Sequence, residues 1–130
     1  MHGAAPTPGA AVILLVDDSE LVRGFAKELL ADAAYCVIEA ESAAAALKIA
    51  DRADRRIDMI VTDLMLPGMN GLELSKKMLA LRPGLKVLLV SADPGNEIAV
   101  SLVPGARFLD KNALVDSLVE RVRQMLAEGS

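Results

Sequence analysis

The side chains best suited to chemistry are three carboxylates, namely the acidic pair Asp17 and Asp18 and the single Asp63. Each stands at the end of a short apolar run. Ser91 ends another such run, and Lys111 lies just after a further one. If these runs are parallel strands, their carboxyl ends meet at one edge of a sheet. The five residues are therefore expected to converge in space.

Three carboxylates gathered in a partly buried cleft repel one another, and leaving them unpaired costs several kcal/mol per ion. A divalent cation removes this cost. Mg²⁺ suits such a site because it prefers hard oxygen ligands and keeps several waters. No histidine or cysteine cluster competes, since His2 lies in the first ten residues and Cys36 lies in an apolar run. The aspartates therefore predict a magnesium site.

With a metal bound, one of the carboxylates can act as a nucleophile toward phosphorus, a known role of aspartate. Lys111 would neutralise charge on the phosphoryl oxygens, and Ser91 would donate a hydrogen bond to one of them. Each residue also has an ordinary explanation. The acidic pair could stabilise a helix start by about 0.3–1 kcal/mol, Asp63 could form a turn, and Ser91 and Lys111 could be solvated. Five suitable residues at four strand ends favour a site.

Five short apolar runs alternate with longer amphipathic ones, which predicts a single α/β domain with helices on both faces of a parallel sheet. Residues 12–16, 59–61 and 87–90 are continuously apolar, as central strands should be. Residues 36–40 and 106–109 each carry a charge, which suits the edges of the sheet.

The first helix is predicted after Ser19, a good capping residue, because Leu21, Phe25, Leu29 and Leu30 recur at helical spacing. Further helices are predicted over residues 43–53, 71–81, 96–103 and 113–128. The fourth of these five is bounded by Pro-Gly pairs and is barely two turns long, so it depends on packing for its stability.

Composition and charge limit the classes of protein to which the chain can belong. The 130 residues are 53% hydrophobic, which suits one domain, and the net charge of -4 gives no broad attraction for nucleic acid or anionic lipid. The apolar run near the start is too short to span a bilayer, and the one cysteine fits a reducing cytoplasm. Residues 1–10 are expected to be a flexible arm or linker, residues 11–128 the domain and residues 129–130 a tail.

Four segments of the sequence carry more specific motifs. They are Val16-Asp17-Asp18-Ser19, residues 62–71 (TDLMLPGMNG), Val90-Ser91-Ala92 and Phe108-Leu109-Asp110-Lys111. Together they resemble the receiver domains of two-component response regulators, and the resemblance extends over residues 11–128. The resemblance allows either a free-standing receiver or one from a hybrid histidine kinase, and the Pro104-Gly105 to Lys111 stretch is somewhat more similar to the latter.

The resemblance implies a flavodoxin-like (βα)5 fold with strand order 2-1-3-4-5. It also implies a phosphorelay in which a sensor histidine kinase or a phosphotransfer protein passes a phosphoryl group to Asp63. Asp18 then corresponds to a direct ligand of Mg²⁺, Asp17 to a residue acting mainly through water, and Met65 to a residue whose backbone carbonyl completes the coordination. Lys111 corresponds to the cation beside the phosphoryl group.

Three further residues gain roles from the resemblance. Ser91 corresponds to a switch hydroxyl that moves toward the phosphoryl group, Ala92 to a small residue that leaves Asp63 accessible, and Phe108 to a switch aromatic. Phosphorylation adds about −1.5 to −2 charges, which would shift the domain between two packings and change its surface for a partner. A homodimer through the fourth and fifth helices is left open.

Two features differ from the usual family pattern. Asn112 follows Lys111 where proline is common, and a cis bond at a non-proline residue costs about 3 kcal/mol, so a trans bond could displace Lys111. The fourth helix is also unusually short. A second hypothesis is therefore a degenerate receiver that binds a partner independently of phosphorylation. A magnesium phosphohydrolase would need an aspartate where Met65 stands, so this class of enzyme is not expected. Weak self-dephosphorylation by attack of water is still expected.

Overall fold

The computed structural model describes residues 10–128 and shows a five-stranded parallel sheet. The strands are β1 (Val12–Val16), β2 (Cys36–Ala40), β3 (Met59–Asp63), β4 (Lys86–Ser91) and β5 (Arg107–Asp110). Their spatial order is β2-β1-β3-β4-β5, which confirms the predicted topology and the predicted edges. The expected arm, apart from Ala10, and the expected tail lie outside the described residues.

The three central strands are buried on both faces, as their apolar sequences require. Alternate residues point to opposite sides, so neighbours such as Ile13 and Leu14 belong to different cores. The helices are α1 (Glu20–Asp32), α2 (Ala43–Ala50), α3 (Gly71–Leu81), α4 (Glu97–Val100) and α5 (Leu114–Glu128). One core packs α2 and α3 against the sheet, and the other packs α1 and α5.

Side-chain caps fix where three helices begin. Ser19 Oγ accepts a hydrogen bond from the Val22 N–H at 3.3 Å, and Ser42 Oγ accepts one from Ala45 at 3.1 Å. Asn70 Oδ1 accepts the N–H of Glu73 at 2.9 Å. Each cap satisfies a backbone donor that has no partner within its helix. The turns that follow the carboxyl ends of β1, β2 and β3 are therefore fixed in position.

The predicted boundaries of three helices were wrong. The second helix ends at Ala50 because the Arg82 guanidinium binds the carbonyls of Ala50 and Arg52, at 3.1 and 2.8 Å. The fourth helix is a single turn, preceded by a 3-10 turn over Pro94–Asn96, and covers less than the predicted 96–103. The fifth begins one residue late, after a 3-10 turn over Lys111–Ala113.

The predicted apolar stripe of α1 was only partly right. Ala26 and Leu30 are buried, but Leu21 is 84% exposed and Phe25 is 44% exposed. The α1 residues that face the core include Val22 and Ala26, which are one helical turn apart. Within residues 10–128, no helix combines the length and the apolar character that a bilayer crossing requires.

Candidate functional site

The fold brings the predicted residues to one edge of the sheet. Asp63 is the last residue of β3, Ser91 is the last residue of β4, and Asp17 directly follows β1. Asp17, Asp18 and Asp63 each offer one carboxylate oxygen to a group in which all three atoms lie within 4.8 Å of one another. The three carboxylates predicted to hold a metal are therefore neighbours in space.

Asp63 lies at the centre of this group and is only 6% exposed. Its Oδ1 accepts the backbone N–H of Met65 at 3.1 Å, and its Oδ2 accepts a hydrogen bond from Lys111 Nζ at 2.8 Å. The turn after β3 is also fixed, because the Leu64 N–H donates to the Val90 carbonyl at 2.8 Å. The side chain is thus oriented through both of its oxygens at the carboxyl end of β3.

Asp17 is equally buried, at 5% exposure. Its Oδ1 accepts the Ser19 N–H at 2.8 Å, and its Oδ2 lies 3.4 Å from Lys111 Nζ. Burial raises the pKa of Asp17, and the nearby Asp63 charge raises it further, although the Ser19 hydrogen bond and Lys111 oppose the change. Asp18, by contrast, is exposed to solvent. The charged form of Asp17 is therefore held in an unfavourable environment that a cation would relieve.

Lys111 bridges the two buried carboxylates. Burial of its ammonium group acts to lower its pKa, but the hydrogen bond to Asp63 and the charges of Asp17 and Asp63 outweigh this, so the pKa of Lys111 is raised. The Lys111-Asn112 peptide bond is trans. The contact with Asp63 is nevertheless made, so the asparagine in place of proline does not displace the lysine.

Ser91 is buried, but its hydroxyl is engaged away from the carboxylates. Its Oγ accepts the Asp93 N–H at 3.1 Å and the Asn96 Nδ2–H at 2.8 Å. No hydrogen bond joins Ser91 to Asp63 within the described part of the chain. The neighbouring Ala92 is exposed. Asn96 was missed by the sequence reasoning, since nothing in its spacing distinguishes it from an ordinary loop residue.

The remaining predicted residues surround this centre. Phe108 is half-buried on β5, where it packs with the core that α2 and α3 cover, and its carbonyl accepts a hydrogen bond from Arg121 at 2.8 Å. The Met65 side chain is exposed. An apolar groove runs beside Lys111 between α1 and α5, and the exposed residues that line it are Leu21, Phe25 and Val115. The first two belong to the set of residues whose helical spacing predicted α1.

Three carboxylate oxygens form a donor set that fits Mg²⁺, which prefers hard oxygen ligands and few protein ligands. Residues 13–123 match the family model of the response regulator receiver domain. The chain belongs to this family. Its residues are 31% identical over 125 positions to the sensor kinase CckA of Brucella abortus strain 2308, an alignment that covers 95% of this chain and 13% of that kinase. The receiver domain thus spans only a small part of that relative.

Solved structures agree with the assignment. The receiver domain of the hybrid histidine kinase CckA matches this receiver with a TM-score of 0.77 and 33% identity, over 89% of this chain and 99% of that one. The response regulator TrrA of Thermotoga maritima, solved in complex with Mg²⁺ and BeF, matches with a TM-score of 0.74 and 26% identity, over 88% of this chain and 98% of that one. The receiver fold is therefore shared along nearly the whole domain.

Proposed function

We propose that this receiver domain accepts a phosphoryl group on Asp63 from the phosphohistidine of a sensor kinase or phosphotransfer protein. One observation carries the proposal: Asp63 lies beside two further carboxylates while Lys111 Nζ binds its Oδ2 at 2.8 Å. In the transfer, the bond from phosphorus to the histidine nitrogen breaks as a bond to a carboxylate oxygen of Asp63 forms. The histidine departs as neutral imidazole when its other ring nitrogen carries a proton.

Mg²⁺ would be held by Asp18, by Asp63 and by the backbone carbonyl of Met65, with Asp17 acting mainly through water. Bound there, the ion would supply positive charge to the phosphoryl oxygens. The exposure of Asp18 supports its role as the ligand that a hydrated ion meets first. Asp17 is already bound by Ser19 through one oxygen, which supports a less direct role.

Lys111 would move its ammonium group from the carboxylate to the phosphoryl oxygens, where negative charge is greatest. Ser91 would donate its hydroxyl proton in a hydrogen bond to another of these oxygens. The exposed Ala92 would leave room for the donor, and Phe108 would respond by repacking, because it has no hydroxyl group of its own. β4 would carry the change to the surface of α4, β5 and α5, where a partner would bind.

The phosphodonor must approach Asp63 from the sheet edge, so its contact surface has to include residues that rim this edge. The apolar groove of Leu21, Phe25 and Val115 adjoins Lys111 and is open to solvent. It supports a protein donor that buries apolar side chains there. We expect the receiver to act in the cytoplasm, as part of a hybrid kinase or as a separate regulator, with weak self-dephosphorylation and no other catalytic activity.

The test is incubation with Mg²⁺ and acetyl phosphate, followed by intact mass measurement. Wild type should gain the mass of one phosphoryl group, and Asp63→Asn or chelation of the metal should prevent the gain. An Asp51→Asn variant is a matched control, because Asp51 is an exposed aspartate just after α2. A gain that survives Asp63→Asn, or no gain in wild type, would refute the assignment.

The alternative function, a receiver that binds its partner independently of phosphorylation, was suggested by Asn112. Its support is weakened because Lys111 contacts Asp63 although the Lys111-Asn112 peptide bond is trans. A pull-down of partners with wild type and Asp63→Asn, each with and without acetyl phosphate, separates the two functions. Equal capture under all conditions would favour the alternative.

A further inference from the structure

Asn96 lies where a helix cap would be expected, yet its side chain does something else. It is the last residue of the 3-10 turn Pro94–Asn96 and directly precedes α4. Asparagine is among the best capping residues, but Asn96 makes no side-chain capping bond. Its amide instead donates to Ser91 Oγ at 2.8 Å, five residues back along the chain. The start of α4 is thereby tied to the end of β4.

This bond engages the hydroxyl that the proposed function requires. A serine hydroxyl accepts two hydrogen bonds at most and donates one. Ser91 Oγ already accepts from the Asp93 N–H and from Asn96, and both donors lie in the loop after β4. A change of staggered rotamer that turns Oγ toward Asp63 would displace the oxygen by roughly 2 Å, which would break its 2.8 Å bond to Asn96.

The geometry points to Asn96 as a latch: it holds Ser91 in the unphosphorylated rotamer and couples the rotation of Ser91 to release of the α4 turn. Asn96 is thus a positioning residue that acts through Ser91, and this inference rests on the proposed phosphorylation of Asp63. Asp93 is an exposed residue, so water can replace the bond that its N–H loses. The released segment bears Ile98, which is largely exposed, so the coupling reaches the protein surface.

Removing the latch should favour the phosphorylated packing. Beryllofluoride with Mg²⁺ serves as the probe, because it mimics a phosphoryl group on a carboxylate, and its affinity is measured by titration followed in amide spectra. Asn96→Ala should bind it about two- to tenfold more tightly than wild type, the range that one net hydrogen bond gives. Asn112→Ala is the matched control: this asparagine is exposed at the same edge, is not the amide that binds Ser91, and should leave the affinity unchanged.

A double-mutant cycle separates a latch from a general effect on α4. In a Ser91→Ala background the oxygen that Asn96 binds is absent, so adding Asn96→Ala should change the affinity less than twofold. In wild type, the side-chain amide signals of Asn96 should shift when beryllofluoride saturates the site. Unchanged or weaker binding by Asn96→Ala, an equal effect in both backgrounds, or an unmoved Asn96 amide would each overturn the latch.

The controls also keep the two proposals distinct. If wild type fails to bind beryllofluoride, or if Asp63→Asn still binds it, the phosphoacceptor assignment itself fails. If wild type binds and Asp63→Asn does not, the assignment stands, and the result for Asn96→Ala then bears on the latch alone.

Discussion

The acidic site is electrostatically uneven at the scale of single residues. Asp17 and Asp63 are both buried and share one ammonium group, whereas Asp18 is exposed and has water to solvate its charge. Burial raises the pKa of Asp17, and the charge of Asp63 raises it further, because two buried carboxylates share one lysine. The metal-free domain therefore carries a local instability that a divalent cation is suited to relieve.

This instability predicts that removing the Asp17 charge stabilises the metal-free domain but reduces the stabilisation that Mg²⁺ provides. In the presence of a chelator, Asp17→Asn should raise the free energy of unfolding by about 1 kcal/mol, because a charge in an unfavourable buried position is removed. Saturating Mg²⁺ should stabilise wild type, since it binds only the folded state, and should stabilise the variant less. Denaturant melts with and without Mg²⁺ measure both effects.

Asp18→Asn is the matched control for this prediction. Asp18 is exposed, so its loss should change the metal-free stability by less than about 0.5 kcal/mol. Its removal should still reduce the gain from Mg²⁺, because it is the proposed direct ligand. Destabilisation of Asp17→Asn in chelator would mean that the pairing with Lys111 outweighs the cost of burial.

At the scale of elements, α1 ends in an unusual way. The N–H of Ala34 donates to the Ala31 carbonyl and that of Tyr35 to the Leu30 carbonyl, the bond pattern of a Schellman motif. The motif requires a left-handed residue, normally glycine, but here Ala34 has a φ of 70°. Ala34→Gly should therefore stabilise the domain by about 1 kcal/mol in thermal or denaturant melts.

Ala33→Gly provides the comparison, because Ala33 has an ordinary φ of −89° and gains nothing from the freedom of glycine. It should destabilise the domain by about 0.5–1 kcal/mol through the greater entropy of the unfolded chain. A result in which both glycines destabilise equally would contradict the strain at Ala34.

The start of α3 is packed against the backbone of Asp63. A Cβ on Gly71 would lie 2.5 Å from the Asp63 carbonyl oxygen and 2.9 Å from Leu64 Cα. Since neither backbone atom can yield easily, Gly71→Ala should destabilise the domain by about 1–3 kcal/mol and slow phosphorylation of Asp63 by acetyl phosphate.

The control for Gly71 lies in α1. A Cβ on Gly24 would meet no atom of a packed neighbour within 4 Å among the described residues, so this position has room for a methyl group. Gly24→Ala should therefore stabilise its helix by up to about 1 kcal/mol and leave phosphorylation unchanged. Folding of Gly71→Ala with full stability would show that the α3 turn can shift without disturbing the site.

Sequence patterns predicted the elements whose signals are local. Ser19 acts as a cap as expected, and the apolar strands took their predicted places in the sheet. The end of α2 was mispredicted because it depends on Arg82, a residue about thirty positions away that binds the last carbonyls. The shortness of α4 was underestimated because a segment bounded by proline and glycine has no strong signal for where its single turn begins.

At the scale of the whole molecule, the parallel sheet explains why the acidic site could be anticipated. Residues far apart in sequence converge because every strand ends at the same edge, so the strand pattern and the polar residues after it were sufficient. The contacts and exposed side chains around the site could not be predicted from the sequence. The exposure of Leu21 depends on how α1 rotates against the sheet, and the bond from Asn96 to Ser91 depends on the path of a loop.

The exposed groove beside the site gives the last prediction, which concerns the donor. Leu21 is 84% exposed on α1, so Leu21→Ser should cost less than about 0.5 kcal/mol of stability. If a histidine phosphodonor buries this side chain, the variant should lose about tenfold in kcat/KM for transfer from that protein, the effect of about 1.4 kcal/mol. Phosphorylation by acetyl phosphate, which is too small to contact the groove, should be unaffected.

Leu102→Ser serves as the control for Leu21→Ser. Leu102 is 67% exposed but follows α4, away from the groove between α1 and α5, so its substitution removes a similar apolar surface without touching the proposed contact. Transfer from the protein donor should then proceed at the wild-type rate. An equal loss in both variants, or a loss with acetyl phosphate as well, would place the effect of Leu21 in the stability or chemistry of the domain and not in recognition of the donor.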